Sequence, residues 1–310
     1  MPTALSEMIS LGTLASAAAP AMGAAALAAG GRTTPPDQFA GRKGFDRGFL
    51  ENFGVDLPQR VKHRKDDEAP LKSDPGYVLD YEHFSLIMSK SRRIAMFTAC
   101  NIDGGESKKI KRDKDVWAFD GRMDATYQIG EALYAGNRLD RGHLVRREDP
   151  VWGTSAAIAN DDTFHFTNCS PQYDEFNQQI WLGLENYLLQ NARVHRLQIS
   201  VFTGPVLRAD DPLYREVRIP REYWKVVCLI TENMRPSATA YKISQADLLD
   251  EGMAFAFGKY KTYQVSVRSI EGLAFLDFGA LRNYDGFSTQ ETMVAAPMER
   301  ELADWRDIMI

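Results

Sequence analysis

Between residues 140 and 185 the 310-residue chain gathers the side chains best suited to chemistry. Asp140-Arg141-Gly142-His143 comes first, then Asn168-Cys169-Ser170-Pro171-Gln172, then a stretch carrying Asn177 and Glu185. A histidine that can take a proton, a neutral oxygen ligand and an outer carboxylate are the groups that metal-assisted cleavage of a phosphodiester needs. In the tetrad, glycine lets the backbone turn closely past a ligand, so Arg141 and His143 can reach one phosphate while Asp140 braces the loop. As a general base His143 needs a neutral imidazole near pH 7, which its reference pKa allows. A single histidine also reads as a satisfied structural group, and His63, His83, His165 and His195 are taken that way.

Asn177, Trp181 and Glu185 lie four residues apart and so follow one slowly turning helix face. An asparagine carbonyl oxygen is a hard, neutral ligand suited to magnesium, and Glu185 can hold one of the waters that ion keeps. Each has a plainer reading, Asn177 as a helix cap and Glu185 as a solvated helix charge.

The elements that must position these groups follow from periodicity. Residues 93–100 read as a buried strand ending in a turn at 101–105, and 163–167 alternate like a strand. Residues 174–191 have helical spacing, with Phe176, Ile180, Leu184 and Leu188 on one stripe and Asp174 as its cap. Strands are expected at 197–207, 223–231 and 238–243, sharing one sheet, and a short helix at 298–305. Lys90, Arg92, Arg93, Lys108, Lys109, Lys111, Arg112 and Lys114 concentrate basic charge ahead of the tetrad, where a polyanion would use it; a solvated basic loop is the alternative.

With 44% hydrophobic and 25% charged residues, the chain has an ordinary globular composition, and a net charge of -5 argues against a passive nucleic-acid coat. Cys100, Cys169 and Cys228 are odd in number and far apart, which suggests neither a disulfide framework nor a thiolate metal site. A reducing, cytoplasmic setting is expected, with secretion or the periplasm as the lesser alternative. Residues 1–30 form an Ala-rich arm without a basic start, although Ala26-Leu27-Ala28 matches a cleavage pattern. The arm is too broken for a membrane span. Residues 31–76 read as a linker and lead-in, whose Phe45, Phe49, Leu50, Phe53, Val55 and Leu57 can dock on a domain at 77–310.

Together, Asp140-Arg-Gly-His143, Asn168-Cys-Ser-Pro-Gln172, Phe176-Asn-Gln-Gln-Ile-Trp181 with Glu185, Asn101-Ile-Asp-Gly104 and Phe202-Thr-Gly-Pro205 closely resemble the DNA/RNA non-specific endonucleases of the ββα-metal (His-Me finger) superfamily, which includes endonuclease G. The resemblance covers roughly residues 77–278. It implies an α+β fold with a central, mostly antiparallel sheet, flanking helices and a ββα finger running from His143 to Asn177. It implies His143 as general base, Asn177 as the sole direct protein ligand of Mg2+ (Mn2+ as a substitute), and Glu185 as partner of a metal-bound water. Asn168 would help position His143 and the scissile phosphate, Arg141 belongs to the motif, and Arg112 matches the family arginine that steadies the phosphorane.

Products with 5'-phosphate ends, DNA and RNA as substrates, and a homodimer also follow from the resemblance. Some relatives carry an arginine one turn after the helix glutamate; Leu189 stands there in this chain, and Arg193 is a substitute a turn later. A toxic activity without obvious export suggests that residues 1–60 regulate the enzyme or recruit it to an assembly, as in a bacterial defence effector. The competing reading is a catalytically silent nucleic-acid-binding or scaffold protein that keeps the fold.

Overall fold

The computed structural model describes residues 31–61, 63–73, 76–113, 115–174, 176, 182–245, 262–294 and 296–302. The strands that matter are β1 Val78–Tyr81, β2 Phe84–Met88, β3 Ala95–Asp103, β4 Leu139–His143, β5 Cys169–Tyr173, β6 Gln198–Val206, β7 Glu222–Ile230, β8 Pro236–Ser244, β9 Thr262–Val265 and β10 Glu299–Glu301. The principal helices are α1 Leu182–His195, α2 Val267–Ala274 and α3 Gly286–Val294.

Eight strands form one sheet in the order β10-β9-β8-β7-β6-β3-β2-β1, with every neighbouring pair antiparallel. The expected α+β architecture with an antiparallel sheet is therefore the one observed. Aromatic and β-branched residues build its centre: β7 runs Glu-Tyr-Trp-Lys-Val-Val-Cys-Leu-Ile, and Tyr223 through Cys228 are all buried. Such a strand is covered on both faces, so its hydrophobicity runs continuously instead of alternating.

On one face Trp224 and Phe202 meet Phe278, with ring centroids 5.7 and 5.5 Å apart, and Phe45 of the lead-in lies 5.4 Å from Phe202. Close packing there requires Gly204, because a Cβ would stand 2.5 Å from the Met96 carbonyl oxygen and 2.7 Å from the Trp224 ring. On the other face Tyr223 donates to the Pro171 carbonyl at 2.8 Å and shares a 2.9 Å hydrogen bond with Ser170 Oγ. That ties the central sheet to the separate two-stranded ribbon of β4 and β5.

The structure departs from the sequence-based expectation in three places. Residues 163–167 are not a strand: Thr163 and Phe164 turn, His165 makes a single bridge to Ala118, and Phe166–Asn168 is a 3-10 turn. Their alternation arises because Phe164 and Phe166 both pack against Trp117. Glu299–Glu301 is an edge strand paired with β9 instead of a helix, since short amphipathic stretches take the period of whatever edge they meet. The turn expected at 101–105 begins later, because β3 continues through Asp103 on β6. The Ala-rich arm at 1–30, Asn177, Trp181 and residues 303–310 lie outside the described residues.

Residues 31–61 pack on this body. Arg32–Thr34 pair in parallel with Ala118–Asp120, Phe39, Leu50 and Val55 are buried, and Arg42 grips Asp162 at 2.7 Å. Asn101 accepts a 2.7 Å hydrogen bond from the Asp46 amide, fixing the lead-in to β3. Cys100, Cys169 and Cys228 are buried free thiols.

Candidate active site

In β4, Arg141 and His143 are two residues apart and so project from the same face of the ribbon. The tetrad is extended strand, paired Asp140 to Gln172, Arg141 to Pro171, Gly142 to Ser170 and His143 to Cys169. Glycine is needed for packing here: a Cβ on Gly142 would lie 2.0 Å from Gln172 Oε1. The tetrad is thus extended strand where a ligand-hugging turn was expected.

Asn168 is fully buried and locks the backbone that leaves His143. Its Oδ1 accepts from the Val145 amide at 2.8 Å, while its Nδ2 donates to the Val145 carbonyl at 2.9 Å and the Thr163 carbonyl at 3.1 Å. The side chain is thus engaged with backbone and is not among the residues lining the cavity around His143.

The His143 ring sits 4.8 Å from Trp117 and 5.3 Å from Phe164, centroid to centroid. Burial pushes its pKa down to about 3; Asp115 opposes the shift, and Arg112, Arg147 and Arg141 reinforce it. Its Nε2 is sealed from solvent and has no hydrogen-bond partner among the described residues. A neutral imidazole with an unused nitrogen is the state required of a proton acceptor.

A cavity of about 610 Å³ opens at this ring, lined by Arg112, Arg141, Arg146 and Arg147 and by Asp115, Asp140, Glu148 and Glu185. Carboxylates already hold three of these cations. Arg141 donates to Glu131 at 2.6 Å, and Arg112 makes a forked pair with Asp115, one branch at 3.1 Å. Arg147 bonds Asn160 Oδ1 and Glu148 at 3.0 Å each, and Arg146 bonds Asn186 at 2.7 Å. Arg193 reaches Glu148 at 3.1 Å and Ser107 at 2.9 Å, so it supports the cavity's acidic wall without lining it. Leu189 belongs to the core.

A second cavity of about 460 Å³ shares Arg112, Asp115 and Arg147 and takes Arg32, Gln38 and Arg42 from the lead-in. Residues first read as a linker therefore help shape the surroundings of the site.

Glu185, on the first turn of α1, is buried and faces the cavity, with Oε1 3.2 Å from the ammonium of Lys225. Asp149 is buried beside this pair. Burial raises its pKa well above the usual carboxylate value; Arg146 and Lys225 pull it down, while Glu185 and Glu148 push it up.

The residue set fits a cation that keeps most of its waters. Glu185 presents a carboxylate to one roomy cavity, the kind of group that holds a metal-bound water, while both oxygens of Glu148 are engaged by Arg147 and Arg193.

Sequence reasoning did not single out Asp115, Glu131, Arg146, Arg147, Glu148, Asp149 or Lys225. Arg146-Arg147-Glu148 begins three residues after His143, and a lysine between Trp224 and Val226 interrupts an apolar strand. Both were available signals.

The family model for DNA/RNA non-specific endonucleases matches residues 69–284. An uncharacterised Sinorhizobium fredii protein, y4fB, is 42% identical over 229 residues, covering 69% of this chain and 34% of that protein. The chain thus spans about a third of that relative's length. Human mitochondrial endonuclease G is 28% identical over 227 residues, 67% of this chain and 70% of its own, and the Bos taurus enzyme is 28% identical over 223 residues. Among solved structures, a chain of the EndoG/EndoGI complex aligns with a TM-score of 0.52 at 18% identity, covering 66% of this chain and 87% of that one; this is a likeness of fold. Among the described residues no helix is long and apolar enough to cross a membrane. With 69–284 spanning the ribbon, the cavity and every strand of the central sheet but β10, the chain belongs to the DNA/RNA non-specific endonuclease family.

Proposed function

We propose that the chain is a magnesium-dependent, sugar-nonspecific endonuclease that hydrolyses DNA and RNA to 5'-phosphate ends, with His143 as general base. The observation that carries the reading is the neutral His143 ring, whose Nε2 has no partner, in a cavity lined by four arginines. His143 takes the proton of the attacking water on its neutral imidazole. Arg141 and Arg112 bind the phosphate oxygens, exchanging their Glu131 and Asp115 partners for the substrate. Contacts to phosphate position a strand without reading its bases, so both polymers are accepted. Asn168 holds the ribbon so that His143 stays in line.

Asn177 would be the direct ligand of the magnesium ion, and Glu185 would hold one of its waters. The ion, with manganese as a substitute, supplies charge neutralisation at the phosphate and at the leaving 3' oxygen. The Ala-rich arm is proposed to regulate the enzyme or recruit it to an assembly, as in a bacterial defence effector, and the body to pair as a homodimer. Deleting residues 1–30 tests the arm by toxicity and sedimentation. Deleting 1–60 would also remove the buried Phe39, Leu50 and Val55 and is no test of regulation.

The deciding experiment is digestion of plasmid DNA and a structured RNA by purified protein, with magnesium or with EDTA, beside a His143→Ala variant. Cutting of both polymers only with metal and only by wild type is expected. Binding without cleavage under every divalent metal would instead favour a silent nucleic-acid-binding or scaffold protein.

A further inference from the structure

Lys225 stands near the middle of the central sheet, between Trp224 and Val226 and opposite Thr203 of β6 and Tyr241 of β8. Its side chain is 1% exposed. Removing an ammonium from water is costly, and a well-packed apolar residue of similar volume avoids that cost, so a lysine here calls for a reason beyond stability. Its Nζ donates to Thr203 Oγ1 at 3.0 Å and lies 3.2 Å from Glu185 Oε1. Thr203 and Lys225 are register partners on adjacent strands, so the hydroxyl fixes the ammonium from within the sheet. Glu185 is carried by a different element, α1, and it lines the cavity that contains His143. The lysine thus couples the central sheet to one wall of the site.

We propose that Lys225 is a positioning residue that holds the Glu185 carboxylate aimed into the active-site cavity, where it receives a water of the bound divalent cation. This rests on the metal-dependent nuclease reading and deepens it. The ammonium anchors one end of the carboxylate, and Thr203 restricts where the ammonium can go. Arginine keeps the charge and the donors, so it should restore much of what a neutral residue loses.

The test uses the full chain as wild type, Lys225→Met, Lys225→Arg and Thr203→Val. Its readouts are kcat and KM on plasmid DNA, magnesium affinity by calorimetry without nucleic acid, and a crystal structure of the methionine variant. Partners that orient a metal's ligands typically change affinity or activity by about 10–100-fold when removed, and a loss in that range is expected in magnesium affinity and kcat for Lys225→Met, with KM little changed. The arginine variant should recover most of it, and Glu185 should turn away from the cavity in the methionine structure. A folded Lys225→Met protein with wild-type magnesium affinity, kcat and Glu185 conformation overturns the proposal, as does lowered stability with unchanged kcat per folded molecule. If Lys225→Met does not fold, Thr203→Val decides: a smaller loss in the same direction supports the role, and unchanged magnesium affinity overturns it. Inert wild-type protein would count against the nuclease reading alone, because the orientation of Glu185 in the variant crystal still decides what Lys225 does.

Discussion

The ribbon carrying His143 and the seam where the lead-in meets the core each set a histidine among aromatic rings, half-buried in the ribbon and buried at the seam, and in both desolvation lowers the pKa. At the seam His165 lies 5.2 Å from Phe39 and 5.3 Å from Tyr81, and both ring nitrogens are engaged: Nδ1 with the Asp162 carbonyl and Nε2 with Thr34 Oγ1, each at 2.9 Å. His83 is similarly satisfied by the Pro150 carbonyl at 2.7 Å and Ser155 Oγ at 3.2 Å. In the ribbon, His143 Nε2 has no partner among the described residues and four arginines share its cavity. Depressed basicity is therefore common to the fully hydrogen-bonded His165 and to His143, the proposed general base. What separates them is a ring nitrogen left without a partner among the described residues, on a ring that lines a cavity where charge gathers.

The sharpest way to break that contrast is to exchange the fates of the two histidines. His143→Ala should lower kcat by about 10²–10⁴, the usual contribution of a positioned acid or base, while melting close to wild type. Asn168→Ala strips three hydrogen bonds from the backbone around His143, so a stability loss of roughly 3 kcal/mol, read by denaturant unfolding, should come with reduced activity. His165→Ala should do the reverse of His143→Ala: a loss of about 1–3 kcal/mol, with activity per folded molecule within twofold of wild type.

Acid sharpens the same point. A histidine whose pKa is lowered on folding stays neutral while the unfolded chain gains a proton, so stability is lost as pH falls below about 6.5 and for His143 the loss continues towards about 3. The slope is about 1.4 kcal/mol per pH unit for each such group, and melting between pH 7.5 and 5 should be shallower in His143→Ala. Over that range the imidazole signals of His143 should stay at their neutral positions in NMR. The smallest effect is expected at the exposed Arg47–Asp56 pair, whose side chains are 71% and 63% exposed: Arg47→Ala should change stability by less than about 0.5 kcal/mol.

Much of the molecule was legible beforehand because its signals are local. Residue type and period placed β6, β7 and β8 within a residue or two and in a common sheet. The motif residues His143, Arg141, Arg112 and Glu185 do meet around one cavity. The errors came where local pattern and tertiary partner disagreed. Phe164 and Phe166 alternate because both pack on Trp117, and the terminal stretch becomes a strand because β9 offers it a free edge.

By itself the sequence determined which residues could do chemistry, since proton acceptor, cations and carboxylate are properties of side-chain type and their order lies in one short run of chain. It also determined the strands whose branched and aromatic residues have nowhere to go but a buried sheet. Only the tertiary structure decided that His143 keeps an unused nitrogen while His165 does not, because that depends on Thr34, 131 residues away. It alone decided that Lys225 meets Glu185, two residues on different elements whose approach is set by how α1 lies across the sheet. Hydrogen bonds and charges act over a few ångströms in space, and separation along the chain says little about that distance until the core has packed.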